Sequence, residues 1–208
     1  MPSYKQDTGL AREDLCRFLA ACYYQPGEEF AQEKVFDSML DAAILIDPDL
    51  ASGARRLGEA FVAAGPEDLL LDYTRLFLGP NHIIAKPYGS FWLEADQPLM
   101  GESTMAVQVL YREGGFDIDE EFRELPDHIA AELEFLYLLI YRENEMRRNG
   151  KPEALKEISG LRKRFLDAHL GRWVGPFTAA VRGGAQSGFF RQLAELTERF
   201  VRMQTPAV

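Results

Sequence analysis

The stretch ELPDHIAAELEF, Glu124 to Phe135, crowds polar chemistry onto the mouth of an apolar helix: Asp127 and His128 sit at its start, with Glu132 and Glu134 just inside. A helix N-terminus is electropositive. A carboxylate held beside a histidine there makes a fixed polar site that could grip a peptide backbone or a cationic side chain. A local account uses the same residues, with Pro126 in the first turn, Asp127 capping the unpaired N–H groups, and His128 reaching Glu132 at i+4 as a surface pair. A third reading makes His128, Glu132 and Glu134 the centre of a small helical metal-binding protein or enzyme. Of the two other histidines, His169 lies between Phe165 and Trp173 on one helical face and reads as a core residue, and His82 falls in a loop.

Other chemistries find little support. The chain has no G-x-x-x-x-G-K-[ST] and no G-x-G-x-x-G after a strand, and the glycine-rich GGAQSG at Gly183 to Gly188 lacks a lysine, so it reads as a helix connection. There is no H-E-x-x-H, no pair of Glu-x-x-His motifs for a di-iron bundle, and no G-x-S-x-G elbow. The formal net charge of -10 repels nucleic acid and anionic membrane faces and favours a cationic partner. Cys16 and Cys22 point to different sides of a helix, which argues against a zinc knuckle, and two thiols without a secretory signal suit a reducing compartment. No apolar run is long enough to span a bilayer. The expectation is a cytoplasmic protein without an integral membrane segment.

The elements that must position these residues are helical. Leu15, Phe18, Leu19 and Cys22 make one face of a first helix that ends at Pro26-Gly27. Phe30 to Ile46 and Pro48 to Ala64 predict two more, with Asp47 as N-cap and Pro48 at the first helical position. Pro66 to Phe77 predicts a short fourth helix. Gly79 to Pro98, rich in proline, glycine and aromatic residues, reads as a long loop of the kind that carries function. Glu102 to Glu113 is a helix stopped by Gly114-Gly115, and the acidic segment that follows, about 114–125, is the expected hinge between an N-terminal lobe (1–115) and a C-terminal lobe (126–208). Ile129, Leu133, Leu136 and Ile140 trace a central helix. Pro152 to Leu170 and a final helix with Phe189, Leu193, Leu196 and Phe200 complete an all-α fold of nine to ten helices, the last braced by Arg191–Glu195 and Glu198–Arg202 pairs.

Three motifs together resemble one family. YTRLFLGPNHIIAKPYGSFWLE, Tyr73 to Glu94, is similar to the Y-x-x-L-F-x-G-P...P-x-x-S signature of the TorD/DmsD/NarJ molybdoenzyme-specific chaperones, also called redox enzyme maturation proteins. PDHIAAELEFL, Pro126 to Leu136, resembles their P-D-H followed by E-x-E-F-L, and FLDAHLGRWVGPF, Phe165 to Phe177, resembles their F-x-x-x-H-L-x-x-W element. The insert NHII, Asn81 to Ile84, matches no part of the signature. The resemblance implies a single TorD-like helical domain, without catalytic activity, that binds the twin-arginine leader or the apo-form of a molybdenum-cofactor oxidoreductase subunit until cofactor insertion is complete. Carried over by motif position, the peptide-binding residues are Tyr73, Leu76, Phe77, Pro87, Tyr88, Ser90, Pro126, Asp127 and His128, and Trp92 joins them in an aromatic cluster. Asp127 is then a leader contact whose loss should leave melting nearly unchanged. No cofactor is implied; weak guanine-nucleotide binding, attributed to parts of the family, has no motif here. A monomer or a domain-swapped homodimer exchanging lobes at the hinge is expected.

Overall fold

A computed structural model describes residues 4–26, 34–79, 82–96, 99–117 and 124–205. Ten α-helices carry them: α1 (Tyr4–Ala21), α2 (Val35–Ile46), α3 (Pro48–Ala63), α4 (Pro66–Tyr73), α5 (Gly89–Leu93), α6 (Glu102–Gly114), α7 (Ile129–Arg148), α8 (Pro152–Ala168), α9 (Leu170–Gly184) and α10 (Gly188–Gln204). No strand occurs among the described residues; one isolated antiparallel bridge joins Tyr88 to His128. The all-α expectation holds.

The helices begin and end where local chemistry directs. Asp47 Oδ1 accepts from the Asp49 and Leu50 amides at 3.0 and 3.1 Å, and Pro48 opens α3 without wasting a donor. The fourth helix changes character rather than stopping: after Tyr73 the chain widens into a π-helical turn, Thr74–Leu78, closed by the Gly79 amide on the Thr74 carbonyl at 2.7 Å. The wider turn buries Leu76 and Phe77 side by side. Gly79 leaves it at φ 36°, and a Cβ there would sit 2.4 Å from the His82 carbonyl, so only glycine fits.

The structure differs from the periodic reading in four places. The Gly79 to Pro98 loop contains α5, whose five residues are too few to show a helical period. The eighth helix breaks at His169, one residue before the expected end, and α9 then continues with Pro176 inside it. In α10, Arg202 does pair with Glu198 at 2.7 Å, but Arg191 turns back to the Ala185 and Gln186 carbonyls and Glu195 lies 3.8 Å from Arg56. The expected second helix begins at Val35, its residues before Lys34 lying outside the described ones.

A single core forms the interior. The central helix α7 buries eleven of its residues, with α1, α8 and α9 packed around it, while α10 lies against α9 and α3. Phe135, Phe165, Trp173, Phe177, Phe190 and Phe200 are all fully enclosed. The core runs without interruption through both expected lobes, since α1 rests on α7 and α3 on α10. Most of the expected hinge, residues 118–123, lies outside the described residues.

Candidate functional site

The loop after Gly79 and the turn before α7 are laced together by backbone. The Gly89 amide donates to the Asp127 carbonyl and the Ile129 amide to the Pro87 carbonyl, both at 2.8 Å. The two signature motifs, far apart in sequence, thereby become one surface. Asp127 strengthens the lace: its Oδ2 accepts from the Ser90 amide at 2.7 Å, so this carboxylate caps α5 and not its own helix. Capping of α7 falls to His128, whose Nδ1 accepts from the Ala130 amide at 3.2 Å and whose ring meets Tyr88 edge-on at 5.5 Å.

These positions correct two sequence-level expectations. Asp127 is fully buried and His128 is 3% exposed, so neither is a surface group, and the His128–Glu132 surface pair does not form. Burial pushes the His128 imidazole down to about 3, which keeps it neutral and able to accept. The expectation that loss of Asp127 leaves folding intact does not suit a buried group that holds the loop.

The other residues carried over from the family fall into two groups. Tyr73, Leu76, Phe77, Pro87 and Ser90 are buried with Asp127 and His128. Phe77 packs on Tyr73 at 5.2 Å and on Phe177 at 6.2 Å, within the aromatic core. Tyr88, Trp92 and Pro126 are half-buried and keep a surface. Trp92 is pinned by its indole N–H on the Lys86 carbonyl at 2.8 Å.

Around Tyr88 the structure assembles a group whose pairings the motifs do not announce. The Tyr88 hydroxyl donates to Glu124 at 2.6 Å, and the Tyr24 hydroxyl, from the end of α1, donates to Glu134 at 2.6 Å. Tyr73 lies within electrostatic reach of Glu124, and Tyr24 within reach of both Glu124 and Tyr73, so the three tyrosines and two carboxylates form one group. Desolvation first, and then the neighbouring Glu124, push the Tyr73 phenol up to about 12; burial also raises the Glu134 carboxyl. Among the described residues no Lys or Arg comes within ion-pair distance of Glu124 or Glu134. Glu124 stands just before the P-D-H motif, but Tyr24 is separated from Glu134 by 110 residues, a pairing that no local spacing signals.

Behind this group the chain is polar again. Glu132, fully buried, accepts from the Trp173 indole at 3.1 Å through Oε2, while His169 Nδ1 lies 3.9 Å from its Oε1. The third motif thus meets the second inside the protein, and His169 is the enclosed residue that its flanking aromatics predict. The metal-centred alternative loses its geometry, because His128, Glu132 and Glu134 engage α7's own amide, Trp173 and Tyr24 respectively. Among the described residues no group of three metal-ligating side chains is placed to hold an ion. None of the described helices is long and apolar enough to cross a membrane.

Two polar residues outside the motifs fasten the surroundings. Asp72, 2% exposed, accepts from the Gln186 and Ser187 amides at 3.0 and 2.7 Å and from Arg75 at 3.1 Å, tying α4 to the start of α10. Ile84, from the NHII insert, packs where a Cβ on Gly184 would stand, 2.4 Å from its methyl. The insert therefore seats the loop on the end of α9.

Comparison with known proteins agrees with this architecture. The nitrate reductase delta subunit family matches residues 45–179. A chaperone protein TorD from Vibrio parahaemolyticus is 26% identical over 138 residues, covering 66% of this chain and 63% of the relative. A Tat proofreading chaperone DmsD from Salmonella typhimurium is 26% identical over 178 residues, covering 84% of this chain and 86% of the relative. The chain thus spans a little under two thirds of that TorD relative's length and most of DmsD's. A crystal structure of a redox enzyme maturation protein from Archaeoglobus fulgidus shares the fold, with TM-score 0.56 and 22% identity over 92% of this chain and 93% of its own. With its family match covering more than half its length, its helical fold and its laced signature motifs, the chain belongs to the nitrate reductase delta subunit family, the group that includes the TorD and DmsD chaperones.

Proposed function

We propose that this chain is a maturation chaperone, not an enzyme, that binds a molybdenum-cofactor oxidoreductase subunit through its twin-arginine leader, its apo-form or both, and holds it in the cytoplasm until the cofactor is inserted. The observation that carries this reading is the pair of half-buried carboxylates, Glu124 and Glu134, each held by a tyrosine hydroxyl beside the laced motifs and unmatched by a cation among the described residues. A guanidinium suits such a place, since it bonds carboxylates in bidentate fashion and stacks on aromatic rings. Burial that raises the Glu134 carboxyl is relieved when a fixed positive charge arrives, so binding an arginine releases protons at mildly acidic pH.

A leader continues from its arginines into an apolar stretch. The helix that carries Tyr73 exposes Leu70 and Leu71, and Leu78 follows in the π turn, giving apolar surface for that continuation. Partnership as a monomer or as a dimer exchanged through residues 114–125 is compatible with this role. The test is capture of the tagged protein from its native host with mass spectrometry of what accompanies it. Recovery of a molybdoenzyme subunit with its leader attached supports the reading; recovery of the mature subunit alone moves the binding site to the enzyme body. Absence of any molybdoenzyme overturns it.

A further inference from the structure

The laced loop rests on a buried polar cluster that the proposed binding site does not itself use. Ser90 Oγ, Asp127 Oδ1, Glu132 Oε1 and His169 Nδ1 are all enclosed and none has a hydrogen-bond partner. They come from three separate parts of the chain: the loop, the turn entering α7 together with α7, and the junction of α8 with α9. Gly89 sits directly over them, because a Cβ there would stand 3.0 Å from Glu132 Oε1 and 3.0 Å from the Trp173 indole nitrogen.

Two carboxyl groups, Asp127 and Glu132, share this enclosure. The groups that face them are few. From α9 come Trp173 and, at its exposed edge, Arg172; from the α8–α9 junction comes His169; from α6 comes Tyr111, whose hydroxyl donates to the Pro126 carbonyl at 2.8 Å. From the loop comes Tyr88, from α7 itself Glu134, and on the side of α1 the Cys16 thiol is turned to the Leu133 carbonyl. No Lys or Arg among the described residues forms an ion pair with either carboxyl. Asp127 has a backbone amide to answer it, whereas Glu132 has only the indole N–H and faces His169 Nδ1 across 3.9 Å, beyond hydrogen-bond reach. Two anions enclosed together without a cation are costly, so one carboxyl carries a proton.

We propose that Glu132 is held as the neutral acid at neutral pH, and that it acts as a positioning residue whose ionisation lifts the Pro87–Ser90 segment off α7 and takes the peptide site apart. The neutral acid offers a donor on Oε1 in the direction of His169 and lets Gly89 close over it. The ionised form would leave a second buried negative charge beneath the loop, relieved only by admitting water between loop and helix. Burial, then the neighbouring Asp127, raises the Glu132 carboxyl well above the ordinary range, in keeping with this geometry.

The effect on peptide binding rests on the site proposed above, so the test separates the two. Infrared difference spectra of the wild-type protein against Glu132→Gln at neutral pH should show a carboxylic-acid C=O band that disappears as pH rises. Amide exchange at Gly89 and Ser90 in the wild-type protein should accelerate over the same pH range beyond its intrinsic increase. Neither readout needs a ligand or depends on the variant's binding. A synthetic peptide with two adjacent arginines and an apolar tail should lose affinity about tenfold for the wild type on that rise, while Glu132→Gln holds its neutral-pH affinity. No acid band and no pH-linked exchange would overturn the inference, as would identical peptide pH profiles in the two proteins. A peptide that binds neither protein at any pH, with the band and the exchange intact, would instead sink the site reading and leave the state of Glu132 standing.

Discussion

Replacing Asp127 with alanine removes the acceptor of the Ser90 amide without touching the lace formed by the Asp127 carbonyl and the Gly89 amide. The Ser90 side of α5 is fully buried, so the freed N–H finds no water, and an unsatisfied buried donor costs about 1–3 kcal/mol. For a chain of this size each kcal/mol lowers the melting temperature by about 2–4 °C, which gives a loss of several degrees. Asparagine is the informative control. Its side-chain carbonyl can still accept from Ser90, and it takes one carboxyl out of the pair that shares the enclosure with Glu132. Asp127→Asn should therefore melt close to the wild type and retain peptide binding, while Asp127→Ala loses stability and binding together. Thermal melts by circular dichroism and amide exchange at Ser90 provide the assay. If Asp127→Ala melts with the wild type and Ser90 exchange is unchanged, the carboxylate does not anchor the loop. If Asp127→Asn folds normally but loses the peptide, Asp127 is a direct contact and its role as a cap is secondary.

Further predictions follow from the same structure. Glu132→Gln should be more stable than the wild type: keeping protonated at pH 7 a carboxyl that titrates near 4.5 in the unfolded chain costs up to about 3 kcal/mol. The sign follows from the raised folded value. Wild-type stability from this group is complete below the unfolded value and is lost as pH rises through the folded one, so the variant's advantage should grow from acid towards neutral pH; equal melting curves across that range would contradict it. Asp72→Ala should cost about 2 kcal/mol or more, because the Gln186 and Ser187 amides just before α10 and Arg75 lose one buried acceptor, and a neutral outcome in urea unfolding would show that Asp72 does not fasten this turn. Cys16 and Cys22 are enclosed, with the Cys22 thiol pushed up to about 12 by burial, so neither should react with a thiol reagent until the protein unfolds. Rapid labelling of the native protein would refute that enclosure.

Much of the fold was legible because helices announce themselves by period and punctuation: Asp47-Pro48 opens α3, Gly114-Gly115 ends α6, and the apolar face of α10 needs only its own spacing. The helix Gly89–Leu93 was not legible, being shorter than two turns and held by a carboxylate on another segment. The site divides in the same way. Motif order identified the family and the loop–turn surface, but it assigned contact roles to Leu76, Phe77, Asp127 and His128, which the structure encloses. Tyr24, and the pairings of Glu134 with Tyr24 and of Glu132 with Trp173, emerge only from lateral packing of α1 and α9 on α7. A helix face records which residues turn inward, not which partner they meet there.

The central claim is that Glu124 and Glu134, with their tyrosines, receive a guanidinium. Its most direct test is calorimetric titration of a peptide with two adjacent arginines and an apolar tail, against the same peptide with both arginines replaced by glutamine. The wild-type protein should bind the first and lose about tenfold or more on the second, and Glu124→Gln with Glu134→Gln should erase that difference while leaving the helical signal and melting intact. Equal affinity for the two peptides, or an arginine preference that survives in the double variant, would place cation recognition somewhere other than this tyrosine–carboxylate group.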